Sequence, residues 1–178
     1  MKKNQRLVFI SIYCALALVL DYIKSFIPFL NMPAGGSINI ALVPVVLCSF
    51  HLGTGDGFLT GLLWWLVSSL LGLNPYYISL TQYFFDYIFP SAIIGVCSIF
   101  YKKKNLVEIE CGILFAMLCR TFSVVFSGAI YWPEGVASNS GAAWIASFAY
   151  NLPYNIATTI MLLVITPLLL RSMKKFML

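Results

Sequence analysis

Apolar residues recur in six long runs between Leu7 and Leu170, separated by short polar or Gly/Pro-bearing segments. A helix that crosses a bilayer needs about 20 mostly apolar residues, each rising about 1.5 Å. The runs near 7–28, 39–53, 55–72, 79–101, 106–132 and 141–170 meet or approach that length. They predict an all-α membrane protein of six transmembrane helices. The second and third runs are short, which predicts spans that are tilted, broken or partly interfacial. No segment outside the runs is long enough to fold by itself, so residues 1–178 are expected to form a single integral-membrane domain.

Charge gives these runs an orientation. Of 11 Lys and Arg, nine fall in three clusters: Lys2, Lys3 and Arg6; Lys102, Lys103 and Lys104; Arg171, Lys174 and Lys175. The loops near 30–38, 73–78 and 133–140 contain none. Basic residues in short flanking loops stay on the cytoplasmic side. Both termini are therefore expected in the cytoplasm, with the uncharged loops outside. The net charge of +5 follows from that topology and from attraction to anionic lipid, not from nucleic-acid binding.

The remaining composition excludes more than it suggests. Cys14, Cys48, Cys97, Cys111 and Cys119 are odd in number and form no CxxC pair, so no disulfide framework or metal site is expected. No Gly-rich phosphate loop is present, so the chain does not hydrolyse a nucleotide by itself. No internal repeat of the kind that builds an autonomous carrier is visible. No small-residue cleavage site precedes a soluble domain, so residues 7–28 are expected to stay in the protein.

Ionisable residues within the runs are costly in lipid and therefore functional candidates. Asp86 lies within YFFDYIF and Arg120 within MLCRTFS, and the two are placed to meet across adjacent helices. Such a pair either fixes helix register alone or also holds the carboxylate for a polar or cationic ligand. Asp21 and Lys24 are spaced to pair within the first helix. Around the level of Asp86 gather Gln82, Asn74, Tyr76, Tyr77, Tyr131, Trp132 and Glu134. Interfacial aromatics are common, but their coincidence with Asp86, Gln82 and Asn151 favours a pocket for a flat ring.

Elsewhere the polar residues read more plainly. Asn151 and Asn155 flank Pro153, where they either satisfy freed backbone or, for Asn151, meet a heterocycle. The loop LNMPAGGSIN is either a connector or a lid, and its Gly36 and Ser37 are counted with the candidate site. Trp64 and Trp65 are assigned to packing, and His51 to the loop between the second and third runs. Ser11 and Ala15 form a small-xxx-small pair that suits close helix packing, internal or with a partner protein.

The order and spacing of several stretches resemble the substrate-binding S components of energy-coupling factor transporters, in particular the thiamine-type group. These are MPAGGSINIALVPVVLCSFHLG at 32–53, GFLTGLLWWLV at 57–67, QYFFDYIFPSAIIG at 82–95, LCRTFSVVFSGAIYW at 118–132 and WIASFAYN at 144–151. The resemblance implies a six-helix subunit of the bacterial cytoplasmic membrane. It would capture a vitamin from outside, without cofactor or catalysis, and work with a shared membrane subunit and two ATPases. It implies that Asp86, Tyr87, Trp132, Gly128, Tyr76 and Asn151 contact the ligand, and that Ser11 and Ala15 dock on the shared subunit. Two positions depart from the thiamine-binding pattern: Val124 stands where histidine is usual, and Ala146 where tyrosine is usual. Thiamine is the first expected ligand; pyridoxine or hydroxymethylpyrimidine, smaller rings needing fewer polar contacts, is the alternative. A membrane-embedded hydrolase lacks a nucleophile with a base. A stand-alone channel or carrier would transport without ATPase partners.

Overall fold

The computed structural model describes residues 3–32, 36–74, 76–133 and 135–173. Among the described residues six helices follow one another, beside a short 3₁₀ turn at Pro28–Leu30: α1 (Lys3–Lys24), α2 (Leu42–Leu52), α3 (Thr54–Leu70), α4 (Leu80–Phe100), α5 (Leu106–Tyr131) and α6 (Gly141–Met173). Among the described residues there is no strand, and an isolated antiparallel bridge joins Asn31 to Ser37. The expected Pro33 and Gly35 of the first loop, Glu134, and the basic residues Lys2, Lys174 and Lys175 lie outside the described residues.

The all-helical architecture and the multi-pass membrane character stand, but the six helices are unequal. By length and composition α1, α4, α5 and α6 can cross a membrane. The 11-residue α2 rises only about 16 Å. Its residues Leu42 to Phe50 are all buried, so protein surrounds it on every side. Together with Ile10, Ala17, Ile113 and Leu162, this helix forms the centre of the bundle. By contrast α1 exposes Val8, Ile12, Leu16, Val19 and Ile23, an apolar face suited to lipid.

Helix starts follow from capping chemistry. The Asn105 side chain accepts from the Glu108 backbone N–H at 2.9 Å, while Glu108 Oε2 accepts from the backbone N–H groups of Lys103 and Lys104. Ser79 caps α4 by accepting from Gln82 N at 3.1 Å. Close helix approach rests on absent side chains. A Cβ on Gly95 would sit 2.1 Å from the Gly57 carbonyl oxygen, joining α4 to α3. A Cβ on Gly112 would sit 1.8 Å from the Cys97 carbonyl oxygen, joining α5 to α4.

His51 is not a loop residue. It lies in the last turn of α2, where its Nδ1 is 2.9 Å from the Tyr13 hydroxyl and its ring meets Phe9 edge-on. Gly53, at φ +108°, turns the chain so abruptly that α2 and α3 need almost no connector, which leaves His51 inside the helix. Nearby, Arg6 and Asp56 form an ion pair at 2.6 Å between α1 and α3.

Candidate ligand-binding site

The N-cap at Ser79 aims the first turn of α4 so that Gln82 is completely buried. Gln82 Oε1 accepts from Ile78 N at 3.0 Å, and its Nε2 donates to Asp86 Oδ2 at 2.5 Å. Four residues apart, the two side chains share one helix face. Trp132, just past the end of α5, donates its indole N–H to the same Oδ2 at 3.0 Å. Both donors thus converge on Oδ2, and Oδ1 has no hydrogen-bond partner among the described residues.

Aromatic rings surround this carboxylate. Tyr76 meets the half-exposed Trp132 ring edge-on, with centroids 6.2 Å apart. Tyr87 packs on Tyr83 at 4.8 Å, and Tyr83 in turn meets Tyr77 and Trp65. The Tyr83 hydroxyl donates to Ser69 Oγ at 2.7 Å, which also accepts from Asn74. Trp64 and Trp65 are packing residues as expected, their indole N–H groups buried without partners among the described residues.

A second group lies on α6, joined to the first through the last turns of α5. A Cβ on Gly128 would come 2.3 Å from Ser147 Oγ and 3.3 Å from Asn151 Nδ2, so this glycine lets α6 approach. Trp132 follows one turn later, its backbone N–H donating to the Gly128 carbonyl. Asn151 is buried, and its Nδ2 donates to the Ser147 carbonyl at 2.9 Å and to Ser147 Oγ at 3.2 Å. Its Oδ1 accepts from the Tyr154 hydroxyl. Asn155 donates to the Asn151 carbonyl at 2.9 Å.

The first loop reaches the site through Gly36. At φ +74° this residue adopts a conformation that favours glycine, and a Cβ there would overlap the Tyr154 ring. The loop is pinned by Ile38 N donating to the Leu30 carbonyl at 2.8 Å and by Asn39 N donating to Thr158 Oγ1 at 3.1 Å. Ser37 takes part in the bridge to Asn31 and is half-buried. Tyr154 therefore ties the loop to Asn151. It is not among the residues the sequence predicts for the site. Its spacing of three from Asn151 was the available signal.

Arg120 does not form the expected ion pair with Asp86. Its Nη1 donates to the Pro90 carbonyl at 3.0 Å, and its buried Nε has no partner among the described residues. The physical reason is that Gln82 and Trp132 already hold Asp86, while the Pro90 carbonyl lies within reach of Arg120 Nη1. The expected pair of Asp21 and Lys24 does form, at 2.7 Å. Of the two departing positions, Val124 is buried. Ala146 is exposed, about 100° around α6 from the buried Ser147.

A half-buried carboxylate among rings and amides, in a helical membrane bundle, is the kind of site at which membrane proteins bind small polar molecules. Residues 7–178 match the family model described as thiamine transporter protein, Thia_YuaJ, and the chain belongs to that family. The resemblance to thiamine-type S components is thus borne out, and the family is one of transporters rather than enzymes. The chain is 32% identical over 179 residues to the thiamine transporter ThiT of Bacillus subtilis (strain 168), covering 94% of this chain and 91% of that relative. Its fold is similar to a structure of ThiT from Listeria monocytogenes, with a TM-score of 0.81 at 22% identity and 98% of each chain covered. It is also similar to the S component of a bacterial ECF transporter, with a TM-score of 0.68 at 24% identity and 99% of each chain covered.

Proposed function

We propose that this chain captures thiamine outside the cell as the S component of an ATP-driven importer in the bacterial cytoplasmic membrane. Both termini lie inside, and the Asp86 end of the bundle faces out. The observation that carries the reading is the Asp86 carboxylate, held at Oδ2 by Gln82 and Trp132, with no donor to Oδ1 among the described residues. That oxygen accepts from an aminopyrimidine or faces a thiazolium, while Trp132 and Tyr76 supply aromatic faces to the cation. Tyr87, Gly128 and Asn151 form the rest of the wall, and Gly36 and Ser37 close it from the first loop. Ser11 and Ala15, exposed on α1, offer the close-approach surface for the shared membrane subunit, to which two ATPases supply the driving force.

Val124 favours a second reading for the ligand alone. A buried valine where thiamine binders usually carry histidine leaves a drier, smaller contact, which suits pyridoxine or hydroxymethylpyrimidine. Titration of the purified protein with thiamine, pyridoxine and hydroxymethylpyrimidine, followed by tryptophan fluorescence, separates the two. Thiamine binding that Asp86→Asn abolishes in a still-folded protein is the expected result. Quenching by pyridoxine without response to thiamine sinks the thiamine reading, and wild-type affinity in Asp86→Asn sinks the site.

A further inference from the structure

Asp86 and Tyr87 stand in a stretch of α4 that is not an ordinary α-helix. Over Phe84–Ile88 the helix widens to a π turn, and the Phe89 N–H donates to the Phe84 carbonyl, five residues back. In an α-helix that N–H would go to Phe85. The next donor along the chain that could serve the Phe85 carbonyl belongs to residue 90, which is proline and has no N–H. The Phe85 carbonyl is therefore an orphan, lacking both its four-residue and its five-residue partner. A backbone oxygen in apolar surroundings needs a donor from elsewhere. Ser123, on α5 and 2% exposed, provides it: its Oγ donates to the Phe85 carbonyl at 2.7 Å. One turn away on α5, Arg120 Nη1 donates to the Pro90 carbonyl at 3.0 Å.

We infer that Ser123 is a positioning residue for ligand capture: by supplying the hydrogen bond that Pro90 denies to Phe85, it holds the π turn open and presents Asp86 to Trp132 and the ligand. Were the turn to tighten to α geometry, the residues on either side of it would rotate relative to one another by about 100°. Asp86 would then leave the indole of Trp132. Ser123 touches neither ligand nor carboxylate and acts through the backbone between them. The mechanism rests on the proposed thiamine site for its effect on affinity, but its effect on the Asp86–Trp132 hydrogen bond is independent of any ligand.

Two readouts test it. The first is the indole N–H resonance of Trp132 in ¹⁵N-tryptophan-labelled protein without ligand, assigned through Trp132→Phe. The second is the thiamine Kd by fluorescence titration. Ser123→Ala is expected to move the indole resonance and weaken thiamine binding about tenfold. Ser123→Thr, which keeps the hydroxyl, is expected to restore both. Pro90→Ala returns the missing N–H, so adding Ser123→Ala to it is expected to change neither readout further. An unmoved resonance in Ser123→Ala, or the same loss from Ser123→Ala in both backgrounds, overturns the inference. If the wild type fails to bind thiamine, the functional reading falls while the indole resonance still decides this one.

Discussion

Two proline-bearing helices supply most of the candidate site, and they handle their prolines in opposite ways. α6 runs from Gly141 to Met173 through Pro153 and Pro167 without changing helix type. Its own side chains reinforce it, each bonding the carbonyl four residues back: Asn151 to Ser147, Asn155 to Asn151, Thr158 to Tyr154, Thr159 to Asn155. α4 holds Pro90 near its middle and passes from α to π to α to 3₁₀ geometry. Gln82 is a support of its own, but the others come from elsewhere, from Ser123, Arg120 and Trp132. The amide at Asn151 is thus set by local sequence, whereas the carboxylate at Asp86 depends on tertiary contacts as well. Substitutions outside α4 should disturb Asp86 far more than substitutions outside α6 disturb Asn151.

The largest effect tests that dependence at the crossing of α4 and α5. In Gly112→Ala the new Cβ meets the Cys97 backbone carbonyl, which has no rotamer to escape into. The variant should lose about 3 kcal/mol of stability, read as a fall in thermal midpoint in detergent. Gly141→Ala at the start of α6 meets nothing within 4 Å and should leave the midpoint unchanged. Equal midpoints for the two variants would remove the contrast between the helices.

Next in size is Gln82→Ala. It takes one of two donors from Asp86 Oδ2 and leaves the Ile78 N–H without its acceptor. Thiamine Kd should rise about tenfold, from one lost buried hydrogen bond and one unsatisfied donor. An unchanged Kd would mean that Trp132 alone holds the carboxylate. A smaller change is expected for Tyr154→Phe, which keeps the ring against Gly36 but removes the hydroxyl bonded to Asn151. Asn151 remains anchored through Ser147, so Kd should rise only about threefold, with little change in thermal midpoint. A tenfold or larger loss would show that α6 depends on the first loop as α4 depends on α5.

The same contrast explains what could be read from the chain beforehand. The helical segments follow from hydropathy, and the ends of α4 to α6 fall within three residues of those expected, because Ser79, Asn105 and the Gly/Pro-bearing loops mark them. Asp86, Gln82 and Trp132 do come together, since intramembrane polarity is costly enough to be informative. What stayed hidden depends on the third dimension. The π turn at Phe84–Ile88 leaves no periodic trace, and Ser123 looks like any small residue in a membrane helix until its partner carbonyl is known. The expected pair of Arg120 and Asp86 failed because charge suggested a partner where backbone geometry supplied another. The sequence predicts α2 as a short span because its apolar run does not reveal whether lipid or protein surrounds it.

The smallest effect sharpens the comparison most finely, because it repeats the chemistry of Ser123 where the backbone does not need it. Asn155 Nδ2 donates to the Asn151 carbonyl much as Ser123 Oγ donates to the Phe85 carbonyl. The Asn151 carbonyl, however, lies within continuous α-helix, where the Asn155 backbone N–H is its ordinary partner. Asn155→Ala should therefore cost about 1 kcal/mol of stability and leave thiamine affinity as in the wild type. The two residues differ in whether the helix provides a second donor, not in side-chain burial or hydrogen-bond length. If Asn155→Ala weakened binding as much as Ser123→Ala, the availability of a backbone N–H would not be what separates α6 from α4.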